Sequence, residues 1–224
     1  MILSRLSIFF LLFLVSLGVK AQYIDKIGNY KFLENKGQWA SDLAFKGTIP
    51  NGDLFFFEDG IGYLLTQPLK DSSEDHQHHP HKIHTDKLKS FHALKLSFEK
   101  GNLLHWNPID KSSDYYNFLY GSDTTLWHSE LHTFQQLYAK NIYEGVDIRL
   151  ILHPVTGFKY EFLLAPRSKT NQIKLRFDGA DKLELINGAL HVSTSVGEVI
   201  EKPPYAYQIV DGVQVKIDCE FVIH

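Results

Sequence analysis

Histidine is the residue type most concentrated for chemistry in this chain. His76, His78, His79, His81 and His84 fall within nine residues, beside Glu74 and Asp75. Imidazole is a common ligand for zinc, copper and nickel. A working metal site also needs rigid elements and outer contacts that fix each ring. Residues 70–89 offer little of either: Pro80 sits mid-stretch and large apolar side chains are scarce. The segment therefore reads as a solvated, polar, His-rich loop with weak metal affinity. A secreted hydrolase, metal-assisted through these histidines, is the alternative it leaves open.

Other catalytic patterns are absent from the sequence. There is no G-x-S-x-G elbow, no H-E-x-x-H, no P-loop and no G-x-G-x-x-G. Ser, His and Asp are plentiful, but nothing local pairs them as nucleophile and base. Glu198 and Glu201 stand near a turn, where surface charge is the simplest role for them. Trp39, Trp106 and Trp127, with Tyr115, Tyr116 and Tyr120, could stack on sugar rings. In a β domain most such rings fill the core instead. The expectation is a protein with no catalytic residues and no bound cofactor.

Whatever these side chains do, they must be positioned by the mature chain, and its start is set by the N-terminus. Arg5 precedes an apolar run from Leu6 to Leu17, broken only by Ser7 and Ser16. Val19 and Ala21 place small residues at the −3 and −1 positions of a secretory signal cleaved between Ala21 and Gln22. The run is short of the roughly 20 residues that span a bilayer. Removing residues 1–21 takes away Arg5 and Lys20 and no acid, moving the net charge from −3 to −5. No basic excess marks a nucleic-acid partner, and no second run reaches spanning length.

The remainder is written in strands. Sixteen Phe and eleven Tyr against one Met favour sheet. Period-2 alternation runs through Ile148–Leu152, Phe158–Leu164, Ile173–Phe177, Leu183–Leu185 and Leu190–Thr194. Asn187-Gly188 and Asp211-Gly212 are two-residue hairpin signals, and Asn51-Gly52 and Asp59-Gly60 bracket a further strand. Asp114–Leu119 and Asp123–His128 are the places for short helical turns. Ala93–Phe98 resembles Gln172–Phe177, which hints at a duplicated β unit. Cys219, the single cysteine, excludes an intrachain disulfide. It falls in the apolar set Val213, Val215, Ile217, Cys219, Phe221, Ile223 and reads as a buried packing residue.

Several phrases taken together resemble a known family. They are Phe32-Leu33-Glu34-Asn35-Lys36-Gly37-Gln38-Trp39, Asp53–Leu65, His92-Ala93, Tyr115-Tyr116-Asn117-Phe118, Ile142–Asp147 and Phe158–Phe162. Ala165-Pro166, Leu175–Ala180 and Lys202-Pro203-Pro204-Tyr205-Ala206-Tyr207-Gln208 complete the set. Their order is similar to an N-terminal β domain of unknown function in large secreted proteins of Bacteroidetes-type bacteria. In those proteins propeller-like repeats or PKD domains follow, and a type IX secretion, gliding-motility-associated sorting domain often ends the chain. This sequence departs from that pattern by stopping at His224, in the middle of what alternation reads as a strand. It is either truncated there, with downstream domains missing, or a stand-alone remnant, and an incomplete edge strand favours truncation. It supplies no catalytic residue.

The expectation is an all-β protein of antiparallel strands and hairpins. One composite, sandwich-like domain would cover residues 30–224 behind a signal peptide at 1–21. It would act as a non-catalytic structural or interaction module of a secreted or cell-surface protein. Its partners would be surface polysaccharide or other envelope proteins.

Overall fold

A computed structural model describes residues 8–12, 30–67, 90–153 and 157–224. The His-rich loop and the Ala21–Gln22 junction lie outside the described residues. No helix among the described residues is long and apolar enough to cross a membrane.

The chain is all-β and antiparallel, as the alternation predicts. One large sheet begins at β11 (Leu175–Asp178) and β6 (Phe91–Phe98), then passes through β5 (Gly60–Thr66), β4 (Gly52–Phe57), β3 (Leu43–Ile49) and β2 (Phe32–Glu34). It continues through β8 (His128–Tyr143), β9 (Val146–His153), β10 (Gly157–Leu164) and β1 (Ile8–Leu12), and ends at β15 (Tyr205–Val210) and β16 (Val213–Ile217). A further strand, β7 (Asn107–Phe118), branches off β8. A separate three-stranded sheet holds β12 (Lys182–Ile186), β13 (Ala189–Thr194) and β14 (Gly197–Glu201).

The large sheet curls so that its two halves face each other. Phe56 and Tyr63 reach Phe158 with ring centroids 6.1 and 6.4 Å apart, and Phe98 meets Phe162 at 6.2 Å. These edge-on and tilted contacts fill the space between the halves. Alternation explains the choice of face. Phe158, Tyr160, Phe162 and Leu164 are buried on β10, as are Ile148, Leu150 and Leu152 on β9. Leu190, Val192, Val196 and Val199 carry the small sheet into the same core.

The hairpin signals hold. Asn187 and Gly188 both have positive φ, as do Asp211 and Gly212, which matches the twist two-residue hairpins require. Gly52 and Gly60 serve a tighter purpose. A Cβ at Gly52 would stand 2.0 Å from the Leu64 carbonyl oxygen, and one at Gly60 would stand 2.4 Å from that of Leu96. Only glycine lets those strands close on their neighbours at these points.

Several expectations are corrected. Asp114–Leu119 is not a helical turn: all of it but Leu119 lies in β7, where β8 supplies a ladder that local Asp, Ser and Asn preferences do not reveal. Of Asp123–His128, only Thr124–Leu126 forms a 3₁₀ turn, capped by the Asp123 carboxylate. The apolar set ending at Ile223 is not buried as a whole. Its strand stops at Ile217, Val213 is 65% exposed, and Cys219 is half-buried. Among the described residues, β16 ends the sheet, so one of its edges has no strand beside it. Burial, then the charge of Glu220, raises the Cys219 thiol pKa.

One strand comes from an unexpected source. β1 belongs to the run read as the core of the export signal, yet it pairs antiparallel with β10 on one side and β15 on the other. A chain cut after Ala21 would not contain it.

Candidate functional site

β7 pairs with β8 from Asn107↔Tyr138 to Phe118↔His128, and beyond Thr133, where the pairing of β8 with β2 ends, the two strands run on as a two-stranded arm. Ten of the twelve β7 residues are exposed. Asn107-Pro108-Ile109-Asp110-Lys111-Ser112-Ser113-Asp114 has few apolar side chains to bury, so pairing with β8 holds it in place. The aromatic residues follow directly. Tyr115, Tyr116, Leu119, Tyr120, Leu126 and Trp127 are all exposed, Tyr120 to 80%.

The tip is ordered by short local bonds. The Trp127 indole N–H donates to the Gly121 carbonyl at 3.2 Å. The Asp123 carboxylate accepts from the Thr125 hydroxyl at 2.6 Å and from its backbone N–H at 2.9 Å, and its pKa is lowered by these bonds. Asn117 Oδ1 accepts from the Glu130 N–H at 3.0 Å, tying the two strands. The Lys31 ammonium, 2.5 Å from the Asp114 carboxylate, lowers the pKa of that acid and ties the arm to the segment preceding β2.

The base of the arm meets a built turn. Asn35 donates Nδ2–H to the Ala40 and Leu43 carbonyls at 2.8 and 2.7 Å, and its Oδ1 accepts from the Gly37 and Trp39 N–H groups. That network fixes Trp39, whose ring packs edge-on against Phe118 at 5.6 Å. Beside them runs an open groove of about 600 Å³, lined by Glu34, Asn35, Gly37, Trp39, Ser41 and Leu43 among others. Tyr115 lies against His132 on one face of the strand pair, and Tyr116, the next residue of the strand, belongs to the other face, so the arm presents rings on both. Exposed, rigid aromatics beside polar groups suit stacking on a flat ligand surface or packing against a partner.

The six aromatics singled out from sequence thus divide. Tyr115, Tyr116, Tyr120 and Trp127 gather on the arm, and Trp39 is half-buried at its base. Trp106 is structural: its indole N–H donates to the Phe57 carbonyl at 2.9 Å and its ring packs on Phe56. The clustering of Tyr115, Tyr116, Tyr120 and Trp127 was the available signal for the arm, but without alternation it named no strand.

Glu198 and Glu201 do not form a carboxylate pair. They stand on opposite faces of β14, and only Glu198 is exposed. Glu201 is fully buried, which corrects its reading as surface charge. It accepts a hydrogen bond from the Tyr160 hydroxyl, while its other oxygen and the Tyr63 hydroxyl have no partner among the described residues. Burial pushes the Glu201 carboxyl up to about 8, against a weaker opposing effect of the Tyr160 bond, so it is mostly neutral at pH 7. Burial, then the nearby Glu201, raises both tyrosines well above their ordinary range.

One Ser–His contact does occur. His92 Nδ1 lies 2.9 Å from Ser195 Oγ and accepts from the Ser195 N–H at 3.2 Å. Its Nε2 is 2.6 Å from the Gly179 carbonyl, to which it donates. With both nitrogens engaged, the ring staples the β13–β14 turn to the large sheet. Among the described residues, no group of three or more His, Cys, Asp or Glu is placed to hold a metal ion.

Comparison with known families matches residues 32–224 to a single model, a domain of unknown function designated DUF7948. The chain belongs to the DUF7948 family. No curated protein and no solved structure matches it. The DUF7948 span opens at the first residue of β2 and covers the arm, the groove, the buried Glu201 and the small sheet. β1 lies outside it.

Proposed function

We propose that this DUF7948 domain is a non-catalytic interaction module of an exported or cell-surface protein, and that the β7–β8 arm is its contact surface. The observation that carries the reading is the concentration of exposed aromatic and large apolar side chains between Tyr115 and Trp127. Exposed apolar clusters of this kind mark interaction sites more often than chance. The rings alternate with Asp114, Asn117 and Asp123, which offer hydrogen bonds at their edges. Surface polysaccharide fits that mixture best: sugar faces stack on Tyr and Trp while hydroxyls meet carboxylates and amides. The export signal at residues 1–21 supports a location where such polymers occur.

The test is a glycan array together with pull-down from an envelope fraction, using the exported chain and a Tyr115→Ala/Tyr120→Ala/Trp127→Ala variant. Retention of a glycan by the parent and its loss in the variant, with unchanged melting temperature, is the expected result. Capture of an envelope protein and no glycan would move the partner class. Equal behaviour of both chains would remove the arm from the function.

A further inference from the structure

β10 and β15 are neighbours that never touch through backbone bonds. Every pairing between them runs through β1: Leu164, Ile8 and Gln208 share one register position, and Phe162, Phe10 and Ala206 share another. β10 and β15 therefore run parallel to each other, two strand spacings or roughly 10 Å apart. Between them is a slot one strand wide, with unpaired N–H and C=O groups on both walls whenever β1 is gone.

The slot is held open by elements other than β1. Glu201, at the end of β14, is hydrogen-bonded to Tyr160 of β10. Only Lys202, Pro203 and Pro204 separate it from the start of β15. Two consecutive prolines fix φ and leave this link little freedom. The buried Glu201–Tyr160 contact and the Pro203–Pro204 link thus set where β15 begins. Direct closure would require β15 and the hairpin it forms with β16 to shift by a whole strand spacing and to pair in parallel with β10.

We infer that the DUF7948 domain, once residues 1–21 are removed, receives in this slot an extended apolar segment of a partner polypeptide, antiparallel to β10 and β15. The inference rests on the export reading made above. The occupant's chemistry is written in the register. Positions opposite Tyr160, Phe162 and Leu164 face side chains that are buried in the core, so residues one, three and five of the incoming strand must be apolar. Position four lies between Glu161 and Tyr205. Glu161 is itself buried and ion-paired with Arg149 and with Lys159 at 2.5 Å, so its charge is already met and position four calls for no charged partner. Ile8-Phe9-Phe10-Leu11-Leu12, the segment that pairs in the slot of the uncleaved chain, is apolar at every position. Main-chain ladders supply affinity in such strand addition, and alternate side chains supply specificity.

The experiment begins with N-terminal sequencing of the exported protein, then adds a soluble peptide carrying Ile-Phe-Phe-Leu-Leu between lysines. Amide exchange is followed in β10 and β15, with light scattering for mass. The expected result is a start at Gln22, fast exchange along the facing edges of β10 and β15, and exchange slowed at least about tenfold at saturating peptide. A peptide with Asp in place of the central Phe should give no slowing. A start at Gln22 with both edges already protected and no response to peptide overturns the slot while leaving export intact. In that case a doubled mass would assign the slot to a second copy, and an unchanged mass to residues 22–29 or to direct closure. Retention of residues 1–21 in the exported protein overturns the export reading and the vacancy together.

Discussion

β10 and β7 are both antiparallel strands of one sheet system, yet they have opposite relations to water. β10 buries Phe158, Tyr160, Phe162 and Leu164 in the core, and even its outward Glu161 is covered. β7 leaves nearly its whole length exposed and is held mainly by pairing with β8, with the Lys31–Asp114 ion pair and the Trp39–Phe118 contact beside it. The first strand exists because its side chains need a core. The second exists because β8 is long enough to offer a ladder beyond the core. Stability should therefore be concentrated in one region and recognition in the other.

Substitutions that separate the two regions should differ by several kcal/mol. Phe158→Ala removes a ring that contacts Phe56, Tyr63 and Tyr160, and should cost about 3–5 kcal/mol in denaturant unfolding. A loss under about 1 kcal/mol would mean that the facing halves are not packed through this ring.

The buried Glu201 gives the core side a pH signature. Its folded pKa is raised from 4.5 to about 8. Between those values the unfolded chain releases a proton that the folded chain retains. Stability contributed by the neutral form is thus fully present below about pH 4.5 and falls as pH rises towards 8. The slope approaches ~1.4 kcal/mol per pH unit, a few kcal/mol across the window. Urea titrations at pH 5, 6, 7 and 8 should show this fall in the parent and a much flatter profile in Glu201→Gln. Parallel profiles would place the carboxyl in contact with water.

Gly60→Ala should cost about 1–3 kcal/mol, because the new methyl meets the Leu96 carbonyl and the residue has φ +153°. Thermal melts at one pH suffice to measure it. The smallest effect belongs to the arm. Tyr120→Ala and Trp127→Ala should each stay within about 0.5 kcal/mol of the parent in the same melts. A larger loss would make the arm part of the folding unit and weaken its reading as a contact surface.

The same contrast explains what could be read in advance. β9, β10, β13 and their turns were legible because one face of each is buried, and burial writes period-2 alternation. β7 was not, since Asn107-Pro108-Ile109-Asp110-Lys111-Ser112-Ser113 buries no face and so carries no such pattern. The similarity of Ala93–Phe98 to Gln172–Phe177 found an unforeseen expression: the two segments lie side by side, Leu96 opposite Phe177 and Phe98 opposite Leu175. Glu201 was misread because a glutamate beside a turn is ordinarily solvated. Its place beside Val199 in the inward set of β14, ahead of two prolines, was the signal that outweighed its charge.

The pairing of β6 with β11 also bears on how quickly the molecule can form. β5 and β6 can assemble early, but β6 stays an open edge until residues 175–178 arrive from far along the chain. Closing so long a loop is slow, and folding dominated by such distant pairings takes milliseconds to seconds or longer. Throughout that interval the edge of β6 is a template for a foreign strand.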